Sequence, residues 1–148
     1  MKNKKTNYIK LAGILLILAA LELVFFVILA QHIYPNYSLS NNYISDLGVG
    51  PTAPIFNSAI ILFGIIMIST SALIWKGKKH KYVSFMFFLS GIGGMGVGIF
   101  PETTGIYHLF FAGMVFAGIA LNAIIFSKIF KGKLSYYSLL VGLLALFI

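Results

Sequence analysis

The sequence predicts an all-α integral membrane protein: a single domain, residues 1–148, forming a bundle of about five transmembrane helices with a cytoplasmic N terminus. Hydrophobic residues make up 59% of the chain and charged residues 9%, whereas a soluble domain carries roughly 25% charged residues. The mean hydropathy is +0.97. The apolar residues also form runs close to the roughly 20 residues that a helix needs to cross a hydrocarbon core of about 30 Å.

Five apolar runs are predicted to be the spans: 10–30, 55–75, 82–100, 106–130 and 135–148. The first follows a basic start, which is also typical of a signal peptide. Its long apolar stretch, the lack of a clear Ala-x-Ala site and the spans that follow favour an uncleaved helix. The fifth has fourteen residues, which cover only about 21 Å as a helix. We therefore expect either an incompletely inserted helix or a fragment of a longer protein.

Lysine placement predicts the orientation of the spans. All basic residues are lysines, grouped as Lys2, Lys4, Lys5 and Lys10, as Lys76, Lys78, Lys79 and Lys81, and as Lys128, Lys131 and Lys133. The alternate loops, 31–54 and 101–105, contain none. Since basic residues mark the cytoplasmic side, the N terminus is predicted to be inside and the two lysine-free loops outside, in a multi-pass protein of the cell membrane.

The net charge of +8 would suggest nucleic-acid binding in a soluble protein. Here topology and attraction to anionic lipid explain the lysines, so we expect membrane lipid as a partner and no nucleic acid. The chain has no cysteine, which excludes disulfides and thiolate metal sites. No cofactor is predicted. Aromatic residues are expected at the membrane interfaces: Trp75 and Tyr82 at the inner one, and Tyr34, Tyr37, Tyr43 and Tyr107 at the outer one.

Small residues predict close helix packing in the second half of the chain. Gly91, Gly94 and Gly98 share one face of the third helix, and Gly113 with Ala117 forms a small-xxx-small pair on the fourth. Such pairs let membrane helices approach closely. We expect the third and fourth helices to pack against each other through these faces. A nucleotide-binding role for the glycines is excluded, since neither a preceding strand nor a phosphate-binding lysine accompanies them.

The first outer loop is predicted to contain a short helix at the membrane interface. Loops of more than twenty residues are usually functional or structured. Ser40 is a candidate N-cap for a helix through Leu47, with Gly48 as its stop. Tyr43, Ile44 and Leu47 would then face inward and Asp46 would meet the other polar groups.

Two signatures resemble those of a known family. They are Tyr37-Ser38, NYISDLGVGP (42–51) and Phe56-Asn57, then Gly98-Ile99-Phe100-Pro101 followed by His108. They resemble a family of prokaryotic membrane proteins known only as domain-of-unknown-function family 998, over roughly residues 34–121. The resemblance implies a shared architecture, commonly of six spans, which fits a truncated or short member. It implies no activity.

The predicted orientation gathers five polar residues on the outer side: His32, Asp46, Asn57, Glu102 and His108. Three interpretations stay open. In the first interpretation the residues form a structural clasp. Asp46 would cap its own turn and Glu102 the fourth helix, while His108 would bond to a carboxylate and Asn57 would bond back to the turn. In the second interpretation the residues bind a lipid headgroup or another small polar ligand. Alternatively Asp46, His108 and Glu102 hold a divalent metal, because imidazoles and carboxylates are suitable ligands.

Glu22 lies near the middle of the first span, where an ionised acid costs about 2.5–3.5 kcal/mol. We expect it to be protonated and to hydrogen-bond to Ser90 or Asn122. The predicted function is a structural or accessory membrane protein, or one that binds a headgroup or small polar ligand, rather than an enzyme. The alternatives are a metal-dependent enzyme acting on lipid, with the outer cluster as its site, and a small proton-coupled transporter, with Glu22 in a relay.

Overall fold

The computed structural model describes residues 2–77 and 80–146, with side chains from residue 6 onward. Five α-helices follow in chain order: α1 Lys2–Ile33, α2 Ala53–Gly77, α3 Lys81–Ile99, α4 Ile106–Ile129 and α5 Lys133–Leu144. Three short 3₁₀ helices lie in the loops: Ile44–Gly48, Gly50–Thr52 and Glu102–Thr104. No strand occurs in the described ranges. The all-helical prediction is therefore confirmed.

Four of the helices, α1 to α4, are long and apolar enough to cross a membrane, while α5 has 12 residues. The helix α1 begins at Lys2, earlier than the predicted residue 10, because lysines are good helix formers and no proline precedes Pro35. Pro54 lies in the first turn of α2, where a proline is tolerated. Residues 147 and 148 of the fifth predicted run lie outside the described residues, as do Lys78 and Lys79 of the predicted inner loop.

Each helix packs chiefly against the next one in the chain. Of the four long helices, α3 is the most buried and α1 the least. An apolar cluster, which includes Ala19, Phe63 and Phe87, joins α1, α2 and α3. The helix α3 therefore packs between α2 and α4, and the loops at its two ends connect it to these two neighbours.

Glycines set the closest approach between α2 and α3. A Cβ on Gly64 would lie 2.6 Å from the carbonyl oxygen of Gly91, and a Cβ on Gly91 would lie 2.8 Å from that of Gly64. Gly94 and Gly98 face the same helix, α2. The shared glycine face and the packing of α3 against α4 are confirmed, but the face that carries Gly91, Gly94 and Gly98 contacts α2 rather than α4. The opposite face of α3 contacts α4, because a second pair of glycines, Gly93 and Gly96, lies there.

The predicted packing pair on α4 is also wrong. Gly113 and Ala117 are exposed, and nothing lies within 4 Å of a Cβ on Gly113. Instead, α4 contacts α3 through Gly118, whose Cβ would overlap the hydroxyl of Ser90. The ring of Phe111 stacks on that of Phe100, with centroids 5.4 Å apart. These contacts lie on a different side of α4 from Gly113, which is exposed.

Hydroxyl groups link α2 to α3. Ser71 Oγ donates to the carbonyl oxygen of Ser84 at 2.7 Å, and Ser84 Oγ donates to that of Ser71, also at 2.7 Å. Both serines are buried. In an apolar interior such a reciprocal pair satisfies two hydroxyls at once and fixes the register between the helices.

The predicted partners of Glu22 are wrong. Ser90 Oγ donates to Met86 O, one turn earlier in its own helix, at 3.0 Å. Neither the Glu22 oxygens nor the Asn122 amide has a hydrogen-bond partner among the described residues. The cause lies in the packing, since α1 packs chiefly on α2 whereas Ser90 faces Gly118 of α4. Glu22 and Asn122 also differ in depth, at about 16 Å and 24 Å from the helix ends that flank the lysine-free loops.

Candidate functional site

The segment ISDLG forms a 3₁₀ helix, Ile44–Gly48, that begins later than the sequence suggested. Residues 38–42 form a separate turn, in which the amides of Asn41 and Asn42 donate to Ser38 O. Ser40 is not a cap, because its hydroxyl bonds to that of Ser38 at 2.9 Å. Tyr43 and Ile44 are exposed, which corrects the prediction that they face inward.

Asp46 stabilises the turn that contains it. Its Oδ2 accepts a hydrogen bond from Asn42 Nδ2 at 2.9 Å and another from the Tyr43 amide at 3.1 Å. A carboxylate near the start of a helical turn offsets the partial positive charge of the free amides. Its other oxygen, Oδ1, takes part in neither bond. Asp46 therefore has a structural role that leaves part of the carboxylate for other contacts.

Two buried residues and one half-buried residue fix the 3₁₀ helix against α1 and α2. Leu47 is fully buried in a cluster with Ala30 and Phe56. Thr52 Oγ1 donates to Leu47 O at 2.8 Å, and Asn57 Nδ2 donates to Gly48 O at 3.1 Å. The bond from Asn57 confirms that prediction, whereas Thr52 was not singled out from the sequence. The short helix ends at Gly48, as predicted, although the φ of Gly48 is not positive. A Cβ there would lie 2.7 Å from Asn57 Oδ1.

Replacing Asn57 with alanine is expected to loosen the segment 44–48. The Gly48 carbonyl would lose its partner, which typically costs about 1–3 kcal/mol for a buried group. Hydrogen exchange of the backbone amides in this segment measures the loss, and we expect faster exchange there with the helix centres unchanged. Asn41→Ala is the matched control, since Asn41 is exposed. Equal protection in Asn57→Ala and the parent protein would contradict a clamping role.

The second lysine-free loop places Glu102 in a short 3₁₀ helix, Glu102–Thr104. Thr104 Oγ1 donates to Pro101 O at 2.7 Å, and Gly105 turns the chain into α4 with a φ of 63°. Among the residues that the structure describes, no side chain caps α4 by a hydrogen bond, so the prediction that Glu102 does so is wrong. Its Oε2 is buried without a hydrogen-bond partner among the described residues.

His108 joins the end of α3 to the start of α4. The side chain is buried, and Nδ1 lies 2.9 Å from Phe100 O. Because a carbonyl oxygen can only accept, Nδ1 carries the proton and donates it. The predicted bond from His108 to a carboxylate is therefore wrong. Phe100 O is available to His108 because it lies at the end of α3, where the last carbonyls lack partners within the helix.

A cleft of about 290 Å³ opens between the two loops, lined by Tyr34, Asp46, Val49, Glu102 and Thr103. We call it the acidic cleft. Of the five predicted outer residues it unites Asp46 and Glu102. His32 is exposed and its Nδ1 bonds to Ile28 O at 2.8 Å, while Asn57 and His108 are held by the backbone bonds given above. In the described part of the chain, no three histidine or acidic side chains come close enough to hold a metal.

Sequence reasoning did not assign Tyr34, Val49 or Thr103 to a site. Tyr34 was expected only among the interfacial tyrosines, and a valine or threonine in a loop carries no specific signal. The side chains that line the cleft carry negative charge, which comes from Asp46 and Glu102. Neither loop that forms it contains a lysine, so both carboxylates lack a cationic neighbour from their own loops.

Comparison with known proteins gives one finding. Neither a curated protein nor a solved structure matches the chain. The model of one family, described as "Protein of unknown function (DUF998)", matches residues 17–148. This range contains α2 to α5, most of α1 and the whole acidic cleft. The chain belongs to the DUF998 family.

Proposed function

We propose that the protein is a multi-pass protein of the cell membrane whose outer loops bind an ammonium group, carried by a lipid headgroup or another small polar molecule. Four helices of suitable length and apolarity support the membrane placement. The lysine-free loops support an outward orientation of the acidic cleft. The clamped segment 44–48 supports a rigid wall for a binding site, because Leu47, Thr52 and Asn57 hold it in place.

One observation carries the proposal: Asp46 and Glu102 line the same cleft, and Glu102 Oε2 is buried without a hydrogen-bond partner among the described residues. A carboxylate oxygen removed from water is costly unless a donor or a cation compensates for it. An ammonium group supplies positive charge, and a primary ammonium also supplies three hydrogen-bond donors. Glu102 and Asp46 are therefore the residues that would hold it.

Size and aromatic content favour a small cation. A volume of about 290 Å³ lies near the lower end of ligand pockets, roughly 300–1,000 Å³. It suits a headgroup such as ethanolamine or choline rather than a whole lipid. Tyr34 adds an aromatic ring to the wall, and such rings attract ammonium groups through their faces. A metal ion is less well supported, since both imidazoles of the outer side are bonded elsewhere.

The proposal predicts that Glu102→Gln weakens ammonium binding. The substitution keeps the shape of the side chain and removes its charge. Since a hydrogen bond to a charged group is worth about 1.5–3 kcal/mol, we expect affinity to fall at least about tenfold. Isothermal titration of the purified protein with glycerophosphoethanolamine and with choline measures the change.

Glu22→Gln is the matched control, because it makes the same substitution at an acid far from the cleft, and we expect unchanged affinity. The uncharged carbon isostere of choline, 3,3-dimethylbutanol, tests whether the positive charge matters. Equal affinity in Glu102→Gln and the parent protein would refute the proposal, as would equal binding of choline and its isostere.

A further inference from the structure

A second cavity lies at the opposite end of the bundle. It has a volume of about 710 Å³ and is lined by Tyr8, Trp75, Lys76 and Lys81. These residues come from the start of α1, the end of α2 and the start of α3. We call it the basic pocket. Its walls combine two lysines with two amphipathic aromatic residues, in contrast to the acidic cleft.

The pocket is built where α2 ends and α3 begins. Gly77, the last residue of α2, is buried against α1, and a Cβ there would lie 2.9 Å from Ile9 Cδ1. This contact brings the start of α1 next to Trp75. On the other side, Lys81 Nζ lies over the ring of Trp75, 5.2 Å from its centroid. The cation–π contact holds one ammonium group at the wall of the pocket.

In the described part of the chain, no carboxylate lies near the positive charge of the pocket. The chain contains three acids, Glu22, Asp46 and Glu102. Glu22 lies fourteen residues beyond Tyr8 on α1, about 21 Å along the helix. The other two line the acidic cleft at the opposite end. None of the three acidic side chains therefore pairs with Lys76 or Lys81, which leaves both lysines free to contact an anionic ligand.

We propose that the basic pocket binds the phosphate ester of an anionic lipid headgroup in the cytoplasmic leaflet. Lys76 and Lys81 supply the charge, while the Trp75 indole and the Tyr8 hydroxyl supply further donors. Basic pockets between helices on the cytoplasmic side suit such headgroups. Trp75 is 54% exposed, so its ring is open to an acyl chain beside it. The inference rests on the membrane placement proposed above, but not on the acidic cleft.

The sequence provides its own reporter, because Trp75 is the only tryptophan in the chain. Bromine atoms quench tryptophan fluorescence at short range. The protein would be reconstituted in bilayers of unlabelled phosphatidylcholine. Increasing fractions of dibrominated phosphatidylglycerol or dibrominated phosphatidylcholine would then be added. We expect the anionic lipid to quench Trp75 at a several-fold lower mole fraction than the neutral one.

Lys76→Gln with Lys81→Gln is expected to remove this preference. A lysine near the surface contributes about 1 kcal/mol to anionic lipid binding, or about fivefold each. Because Lys81 lies on Trp75, quenching is expressed relative to the fluorescence of each variant without bromine. Lys128→Gln with Lys131→Gln removes the same charge on the same side but outside the pocket. That control should keep the preference.

Each outcome decides a separate question. Equal quenching by the two brominated lipids in the parent protein would overturn the anionic site. The same preference in the Lys76/Lys81 and Lys128/Lys131 double variants would overturn its location. Quenching by neither lipid would refute the membrane placement and the inference with it, whatever the acidic cleft binds. Loss of the preference on adding soluble glycerol phosphate would support the phosphate ester as the group that the pocket recognises.

Discussion

Replacing Gly64 with alanine is expected to destabilise the helical bundle more than any other single methyl addition at the α2–α3 contact. The new Cβ would lie 2.6 Å from Gly91 O and 2.7 Å from Met95 N. Both neighbours are backbone atoms, so no side-chain rotation can relieve the overlap. The two helices would have to separate, which breaks the packing along their whole length. We expect a loss of about 2–3 kcal/mol, at the upper end for overpacked interiors.

Two alanine controls isolate the cause. Gly113→Ala adds a Cβ with nothing within 4 Å, and its stability should be unchanged or slightly higher. Gly77→Ala adds one at 2.9 Å from Ile9 Cδ1, the end of a flexible side chain that can move. Thermal unfolding in detergent should therefore rank Gly64→Ala well below the two controls. A melting temperature for Gly64→Ala that equals that of Gly113→Ala would show that the helices are not in backbone contact there.

The sequence could predict that glycines pack α3 closely, but not against which helix. A period of 3.6 residues shows that Gly91, Gly94 and Gly98 share a face, and it says nothing about the partner of that face. A second glycine pair, Gly93 and Gly96, lies on the other side of α3. Long-range packing decides which of these two glycine faces contacts α2. The serine pair that joins α2 to α3 was missed for the same reason, since its bonds connect residues thirteen positions apart.

The candidate site was predictable only in part. Lysine placement put both outer acids on one side, and Asp46 and Glu102 do line one cleft. The partners of the two outer histidines were not predicted, because only a carboxylate was considered for His108 and no partner was assigned to His32. Instead, His32 bonds to Ile28 O one turn earlier in its own helix, and His108 bonds to Phe100 O at the end of α3. Every residue carries a backbone carbonyl, so such acceptors have no residue signature that a sequence could show.

Cysteine labelling from outside intact cells is expected to give an all-or-none contrast between the two ends of the bundle. The chain has no native cysteine, so each single-cysteine variant has one reactive site. Leu39→Cys places a thiol in the first lysine-free loop, where the side chain is 77% exposed. Lys131→Cys places one in the exposed loop between α4 and α5. A membrane-impermeant maleimide should label Leu39→Cys and leave Lys131→Cys unlabelled until the cells are opened.

Both binding proposals depend on this contrast, because the two cavities have opposite charges at opposite ends. The cytoplasmic leaflet carries the negative surface potential that attracts lysines, which is the side that the basic pocket needs. If only Lys131→Cys were labelled in intact cells, the acidic cleft would lie on the cytoplasmic side and the basic pocket on the outer side. The same two cavities would then face the wrong leaflets, and the lysines would no longer explain the orientation. Labelling of both positions in intact cells would show that the helices do not separate the two loops by a membrane.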